Sequence, residues 1–123
     1  MKCIWCVPKY SNPTGCIYSD DTVRRIAHLG TRTTNGFLVL WDNAYAVHDF
    51  DFPPPKLENI LATAQAAGTQ DTIAIFGSTS KITFAGSGIG FVAGSQNTLA
   101  RLEDRLSVMT IGPDKINQLR HTR

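Results

Sequence analysis

A chain of 123 residues is long enough for one ordinary domain and too short for two. Its 42% hydrophobic and 18% charged residues exclude a disordered polymer, and a net charge of +2 gives no footprint for nucleic acid or an anionic membrane surface. No apolar run approaches the roughly 18 residues of a membrane-spanning helix, so neither nucleic acid nor membrane is expected as a partner.

Cys3 to Val7 reads as a buried strand. It ends at Pro8 and the irregular Tyr10-Ser11-Asn12-Pro13-Thr14-Gly15. Ser19 to Leu29 reads as a helix, with Ser19 as cap, Asp20 and Asp21 at its positive end, and Gly30 as its stop. Phe37 to Trp41 is apolar without alternation, the pattern of a strand covered on both faces. Asp42-Asn43-Ala44-Tyr45 follows, then a loop with His48, Asp49 and Asp51. Leu57 to Ala67 is a second helix, with Gly68 as its stop. Thr72 to Phe76 is a third buried strand, leading into Gly77-Ser78-Thr79-Ser80-Lys81. Gly90 to Ala93 is a short fourth strand. Gln96 to Met109 is a helix whose stripe of Leu99, Leu102, Leu106 and Met109 reads as core. Gly112-Pro113 breaks it, and the tail can begin another helix. Lys115, Arg120, His121 and Arg123 make that end basic, and it reads as a solvated chain end.

The three cysteines, Cys3, Cys6 and Cys16, read as reduced, buried small hydrophobes. An odd count with no signal-peptide pattern leads us to expect a cytoplasmic protein. Cys3 and Cys6 have CxxC spacing, but on a strand they point to opposite faces. No second CxxC and no neighbouring histidine complete a metal site, so no metal is expected.

Strands alternating with helices give an α/β fold, a three-layer arrangement with a mainly parallel sheet flanked by helices. In such sheets ligands bind outside the carboxyl ends of the strands. Asn12 follows the first strand, Asp42 and Tyr45 the second, and Ser78, Ser80 and Lys81 the third. These clusters are expected to form one pocket, in which desolvation lowers the pKa of Lys81 and frees its amine to attack a carbonyl. An amine suits an aldehyde, a carboxylate a protonated ring nitrogen, a phenol and an amide a ring hydroxyl, and hydroxyls a phosphate. Pyridoxal phosphate carries all four features.

Tyr10-Ser11-Asn12-Pro13-Thr14-Gly15, Asp42-Asn43-Ala44-Tyr45 and Ser78-Thr79-Ser80-Lys81 resemble, in order and separation, the central motifs of class I/II aminotransferases, the fold-type-I pyridoxal-phosphate enzymes. Ile111-Gly112-Pro113-Asp114-Lys115-Ile116-Asn117-Gln118-Leu119-Arg120 resembles an aspartate-aminotransferase-like subgroup. The resemblance implies amino-group transfer between an amino acid and a 2-oxo acid, with aspartate as a candidate donor, in a homodimer. It implies that Lys81 forms the internal aldimine and then shuttles the α proton. Asp42 would pair with the pyridine nitrogen, Tyr45 and Asn12 would hydrogen-bond the ring oxygen, and Ser78 and then Ser80 would contact the phosphate. Thr14 and Gly15 would shape their turn.

The pattern departs from the family after the lysine. Relatives place a phosphate-binding arginine there, and none occurs between Lys81 and Arg101. Ser87 and backbone amides of Gly86-Ser87-Gly88-Ile89-Gly90 are expected to compensate in part. That segment misses the dinucleotide GxGxxG spacing and opens no helix. Residues 1–123 match only the middle of the family's large domain, without its N-terminal segment or C-terminal small domain. The chain is therefore expected to be an inactive fragment, with apolar strand faces lacking partners. Two alternatives to an enzyme are the aminotransferase-like ligand-sensing domain of a transcription regulator and a non-catalytic remnant.

Overall fold

The computed structural model describes residues 2–33 and 36–122. In chain order it forms β1 (Cys3–Cys6), α1 (Asp20–Ala27), a 3-10 turn (His28–Arg32), β2 (Leu38–Asp42) and α2 (Ile60–Ala66). A 3-10 turn (Gln70–Thr72), β3 (Ile73–Ser78), β4 (Gly90–Gly94), α3 (Gln96–Met109) and α4 (Lys115–Arg120) follow. The strands make one sheet in the order β1-β2-β3-β4. β1, β2 and β3 are parallel, because a helix-bearing connection separates each pair; β4 returns through a loop and pairs antiparallel with β3. The α/β expectation holds.

Register sets the core. Ile4 lies beside Val39 and Val39 beside Ile73; Cys6 lies beside Trp41 and Trp41 beside Ile75. These side chains share one face of the sheet. Against it α1 packs Val23 and Ala27, and α2 packs Ile60 and Ala64. Local chemistry fixes both helix starts. Ser19 Oγ accepts from Thr22 N–H, and Asn59 Oδ1 accepts from Leu61 and Ala62 N–H. The Asn59 cap starts α2 three residues later than the apolar spacing suggested, and Leu57 packs on the core from outside the helix. Gly68 stops α2 at φ 69°, whereas α1 tightens into its 3-10 turn at His28 before Gly30.

The opposite face is only partly covered. Trp5 is 59% exposed and stacks on Phe76, with ring centroids 6.1 Å apart. Leu38 and Leu40 are half-buried beside a groove of about 260 Å³ that α3 lines with Thr98, Arg101 and Leu102. The absence of alternation in β2 therefore does not mean equal cover on both faces. The α3 stripe is likewise only half core: Leu99 and Leu102 are half-buried, but Leu106 and Met109 are exposed. Its one fully buried residue is Thr98, whose hydroxyl donates to the Asp71 carbonyl at 3.1 Å. The cysteines also divide. Cys6 is buried, while Cys3 and Cys16 are exposed. The tail forms the helix that the sequence allowed: Lys115, Arg120 and His121 are exposed, as a solvated end requires, but Asn117 is buried and bonds to the Gly86 carbonyl of the β3–β4 loop; Arg123 lies outside the described residues. Among the described residues no helix is long and apolar enough to cross a membrane, and no group of three or more His, Cys, Asp or Glu could hold a metal.

Ile60 fills the space between α2 and the sheet at 2% exposure, and Leu106 is 47% exposed. Ile60→Ala is expected to cost about 2–5 kcal/mol and Leu106→Ala to stay within about 0.5 kcal/mol, measured by denaturant unfolding. Equal costs would contradict the one-sided core.

Candidate active site

The parallel strands bring their carboxyl ends to one edge. Asn43 N–H donates to the Phe76 carbonyl at 2.8 Å, which extends the β2–β3 ladder beyond Asp42 and keeps Asp42 beside the end of β3. Asp42 Oδ1 accepts from Ala44 N–H at 3.1 Å. That bond orients the carboxylate, and among the described residues Oδ2 accepts no hydrogen bond. The turn that follows carries Tyr45, whose ring meets His48 edge-on at 5.4 Å. Over the Tyr45 ring stands Lys81 Nζ, 5.4 Å from its centroid, within cation–π range. The amine, phenol and carboxylate therefore come from two adjacent strand ends.

Ser78 Oγ donates to Ser80 Oγ at 2.7 Å and accepts from Ser80 N–H at 3.0 Å. The two hydroxyls thus lie side by side at the end of β3, and among the described residues the Ser80 hydroxyl donates to no acceptor. Asn12 lies on the loop after β1. There Gly15, at φ 69°, donates its N–H to the Ser11 carbonyl, and the Ser11 and Thr14 hydroxyls meet at 2.8 Å. Thr14 and Gly15 shape the turn as the motif suggested.

Two expectations fail. The edge is open: Asn12, Ser80 and Lys81 are exposed, and Asp42, Tyr45 and Ser78 are half-buried. The desolvated lysine expected from a buried strand end is not found, because residues 80–82 turn outward and nothing among the described residues covers them. Nor does Ser87 offer its hydroxyl to a phosphate. It is buried and donates to the Phe84 carbonyl at 2.7 Å. The glycine segment serves packing instead. A Cβ on Gly88 would lie 2.7 Å from Ser80 Cα and 2.8 Å from Ser80 N, so only glycine lets the loop close on the serine.

Sequence reasoning missed a clamp behind this edge. Lys9 is buried; its Nζ pairs with Asp49 Oδ1 at 2.6 Å and donates to the Ala46 carbonyl at 3.3 Å. Tyr10 OH donates to the same carboxylate oxygen at 2.8 Å. Tyr10 adopts φ 51°, a left-handed backbone costing roughly 1–2 kcal/mol in a residue with a side chain. Partial burial, then the hydrogen bond and charge of Asp49, push the Tyr10 phenol up to about 12. The clamp ties the loop of Asn12 to the loop of Tyr45. The available signal was Lys9 itself: a cation directly after an apolar strand calls for a carboxylate as much as Asp42 calls for a cation.

The family described as aspartate amino-transferase matches residues 1–123. An aminotransferase of Mycolicibacterium smegmatis is 46% identical over the whole chain, which spans 28% of that relative. The crystal structure of an aspartate transaminase from Corynebacterium glutamicum superposes with a TM-score of 0.88 at 39% identity, covering 98% of this chain and 28% of that one. An α-aminoadipate aminotransferase from Thermus thermophilus, complexed with N-(5'-phosphopyridoxyl)-L-leucine, shares the fold at a TM-score of 0.72 and 23% identity, over 93% of this chain and 28% of that one. The chain thus spans little more than a quarter of the relatives it matches.

Hydrogen bonds from Lys9 and then Tyr10 hold the Asp49 carboxyl below its ordinary value. A carboxyl depressed in the folded state stabilises fully above its unfolded pKa, about 3.9, and loses that contribution as pH falls through the folded value. Asp49→Asn removes this dependence. Between about pH 5 and about pH 3 its thermal midpoint is expected to fall less steeply than that of the parent protein. Identical slopes would contradict the clamp.

Proposed function

Because the chain belongs to the aspartate amino-transferase family, we propose that residues 1–123 form the central part of the cofactor-binding large domain of a pyridoxal-phosphate enzyme. That enzyme moves an amino group between an amino acid and a 2-oxo acid, with aspartate the first donor to test. The observation that carries this reading is Lys81 Nζ standing 5.4 Å from the centre of the Tyr45 ring, on the turn that follows the strand ending in Asp42. The donor set suits the cofactor group by group. Lys81 would hold its aldehyde, Asp42 its ring nitrogen, Tyr45 and Asn12 its ring oxygen, and Ser78 and Ser80 its phosphate. Bound there, pyridoxal phosphate supplies an electron sink for negative charge at the substrate α carbon.

The chain's own groups supply binding, orientation and proton movement. The Ala44 N–H fixes the Asp42 carboxylate toward the edge, so a protonated ring nitrogen placed there gains a charge-assisted bond. The Tyr45 face offers the Lys81 amine a cation–π contact at 5.4 Å. A lysine amine at this position, when unprotonated, could act as a base toward a proton on the substrate α carbon. The Ser78 and Ser80 hydroxyls, rather than an arginine between Lys81 and Arg101, would meet the phosphate. Closure of the open edge by the remainder of a full-length homodimer belongs to the same proposal, as does its cytoplasmic setting. Residues 1–123 alone are proposed to be inactive.

Lys81→Ala in the full-length protein is expected to abolish the cofactor's visible absorbance and to lower transamination by at least about a thousandfold. Asp42→Ala is expected to keep the lysine linkage and still lose about a hundredfold or more in kcat. An unchanged spectrum in Lys81→Ala would overturn the reading, and a wild type that binds no pyridoxal phosphate would favour a non-catalytic remnant.

A further inference from the structure

The segment of α4 touches the loop that carries Lys81. His121, just past α4, places Nε2 2.7 Å from Thr79 Oγ1, across 42 residues of sequence. Its other ring nitrogen, Nδ1, lies 2.8 Å from the Asn117 carbonyl. A carbonyl can only accept, so Nδ1 carries the proton. In the neutral ring Nε2 then accepts, and the Thr79 hydroxyl donates to it. The same hydroxyl oxygen accepts from Ile89 N–H at 2.9 Å.

Thr79 is the residue on which the lysine turn closes. Its carbonyl accepts from Ile82 N–H at 3.1 Å, Thr83 N–H at 3.0 Å and the Thr83 hydroxyl at 2.9 Å. Its own N–H donates to the Ile89 carbonyl at 3.0 Å. Lys81 sits inside that turn, so any rotation at Thr79 swings the amine. Asn117 grips the far limb of the loop. Its Nδ2 donates to the Gly86 carbonyl and to Asp114 Oδ2, both at 3.0 Å. Arg120 Nη1 donates to Asn117 Oδ1 at 3.0 Å and sets the amide's orientation.

Among the described residues α4 has little apolar hold on the body, since Ile116 is 68% and Leu119 57% exposed. Burying a few methylenes does not explain where it sits; the bonds from Asn117 and His121 do. We propose that α4 is a positioning element for Lys81, with His121 and Asn117 clasping the 79–89 loop so that the amine stays over Tyr45. The proposal rests on the role given to Lys81 above. His121 acts through Thr79 and touches neither cofactor nor substrate.

In the full-length protein His121→Ala removes the acceptor, and His121→Gln returns one through Oε1. Hydrogen exchange on the cofactor-free protein reads the clasp directly. The amides of Ile82, Thr83 and Ile89 are expected to exchange about fivefold faster in His121→Ala, the scale of one net hydrogen bond, and to recover in His121→Gln. With pyridoxal phosphate bound, His121→Ala is expected to lower kcat about fivefold with KM for the amino donor within about twofold, and the glutamine variant to restore it. Thr79→Val tests the same bond from the other side if His121→Ala does not fold, and combining the two should cost less than their sum. Unchanged exchange in His121→Ala overturns the clasp, as does a lower Tm with kcat unchanged. If Lys81→Ala keeps the cofactor spectrum, the proposed function falls and the clasp's purpose with it. If Lys81→Ala loses the spectrum while exchange in His121→Ala is unchanged, only the clasp is rejected.

Discussion

Parallel pairing of β1, β2 and β3 is the constraint on which the rest of the molecule depends. It aligns Ile4, Val39 and Ile73, and Cys6, Trp41 and Ile75, on the face that α1 and α2 cover. It also forces all three strands to end at the same edge. Burial of one face and assembly of polar groups at the edge are therefore one event. An antiparallel arrangement of the same strands would bury similar area and would send Asp42 to the end opposite Ser78.

The edge is then trimmed by contacts between residues far apart in sequence. Lys9 and Tyr10 hold Asp49, which ties the Asn12 loop to the Tyr45 loop. Thr79 and Gly86 hold His121 and Asn117, which tie the Lys81 loop to α4. Each is a polar contact between segments far apart in sequence, and because a single hydrogen bond adds little net free energy, each fixes geometry more than it adds stability. An active edge on an open sheet needs such ties, because loops without them sample many conformers.

What was legible in the sequence follows from range. The order of strands and helices, the capping serine at Ser19, and the three polar clusters at strand ends all depend on neighbours a few residues apart, and all were readable. Two misreadings share another cause. The unbroken apolar run of Phe37 to Trp41 and the leucine stripe of α3 each suggested full cover, but composition records what a surface can bury, not what is present to bury it. The exposed Lys81 is of the same kind: the strand before it is buried, and the turn after it leaves the core. The Lys9–Asp49 and Thr79–His121 contacts span about forty residues and leave no periodic trace. Lys9 alone gave a hint, as a cation against a buried strand.

Lys81, among all the amines of the chain, is the one proposed to hold the cofactor. Incubating the full-length protein with pyridoxal phosphate, reducing with borohydride and mapping the peptides measures this directly. A single stable pyridoxyl adduct is expected, on the peptide containing Lys81. An adduct confined to another lysine, or spread over surface lysines with Lys81 unlabelled, would contradict it.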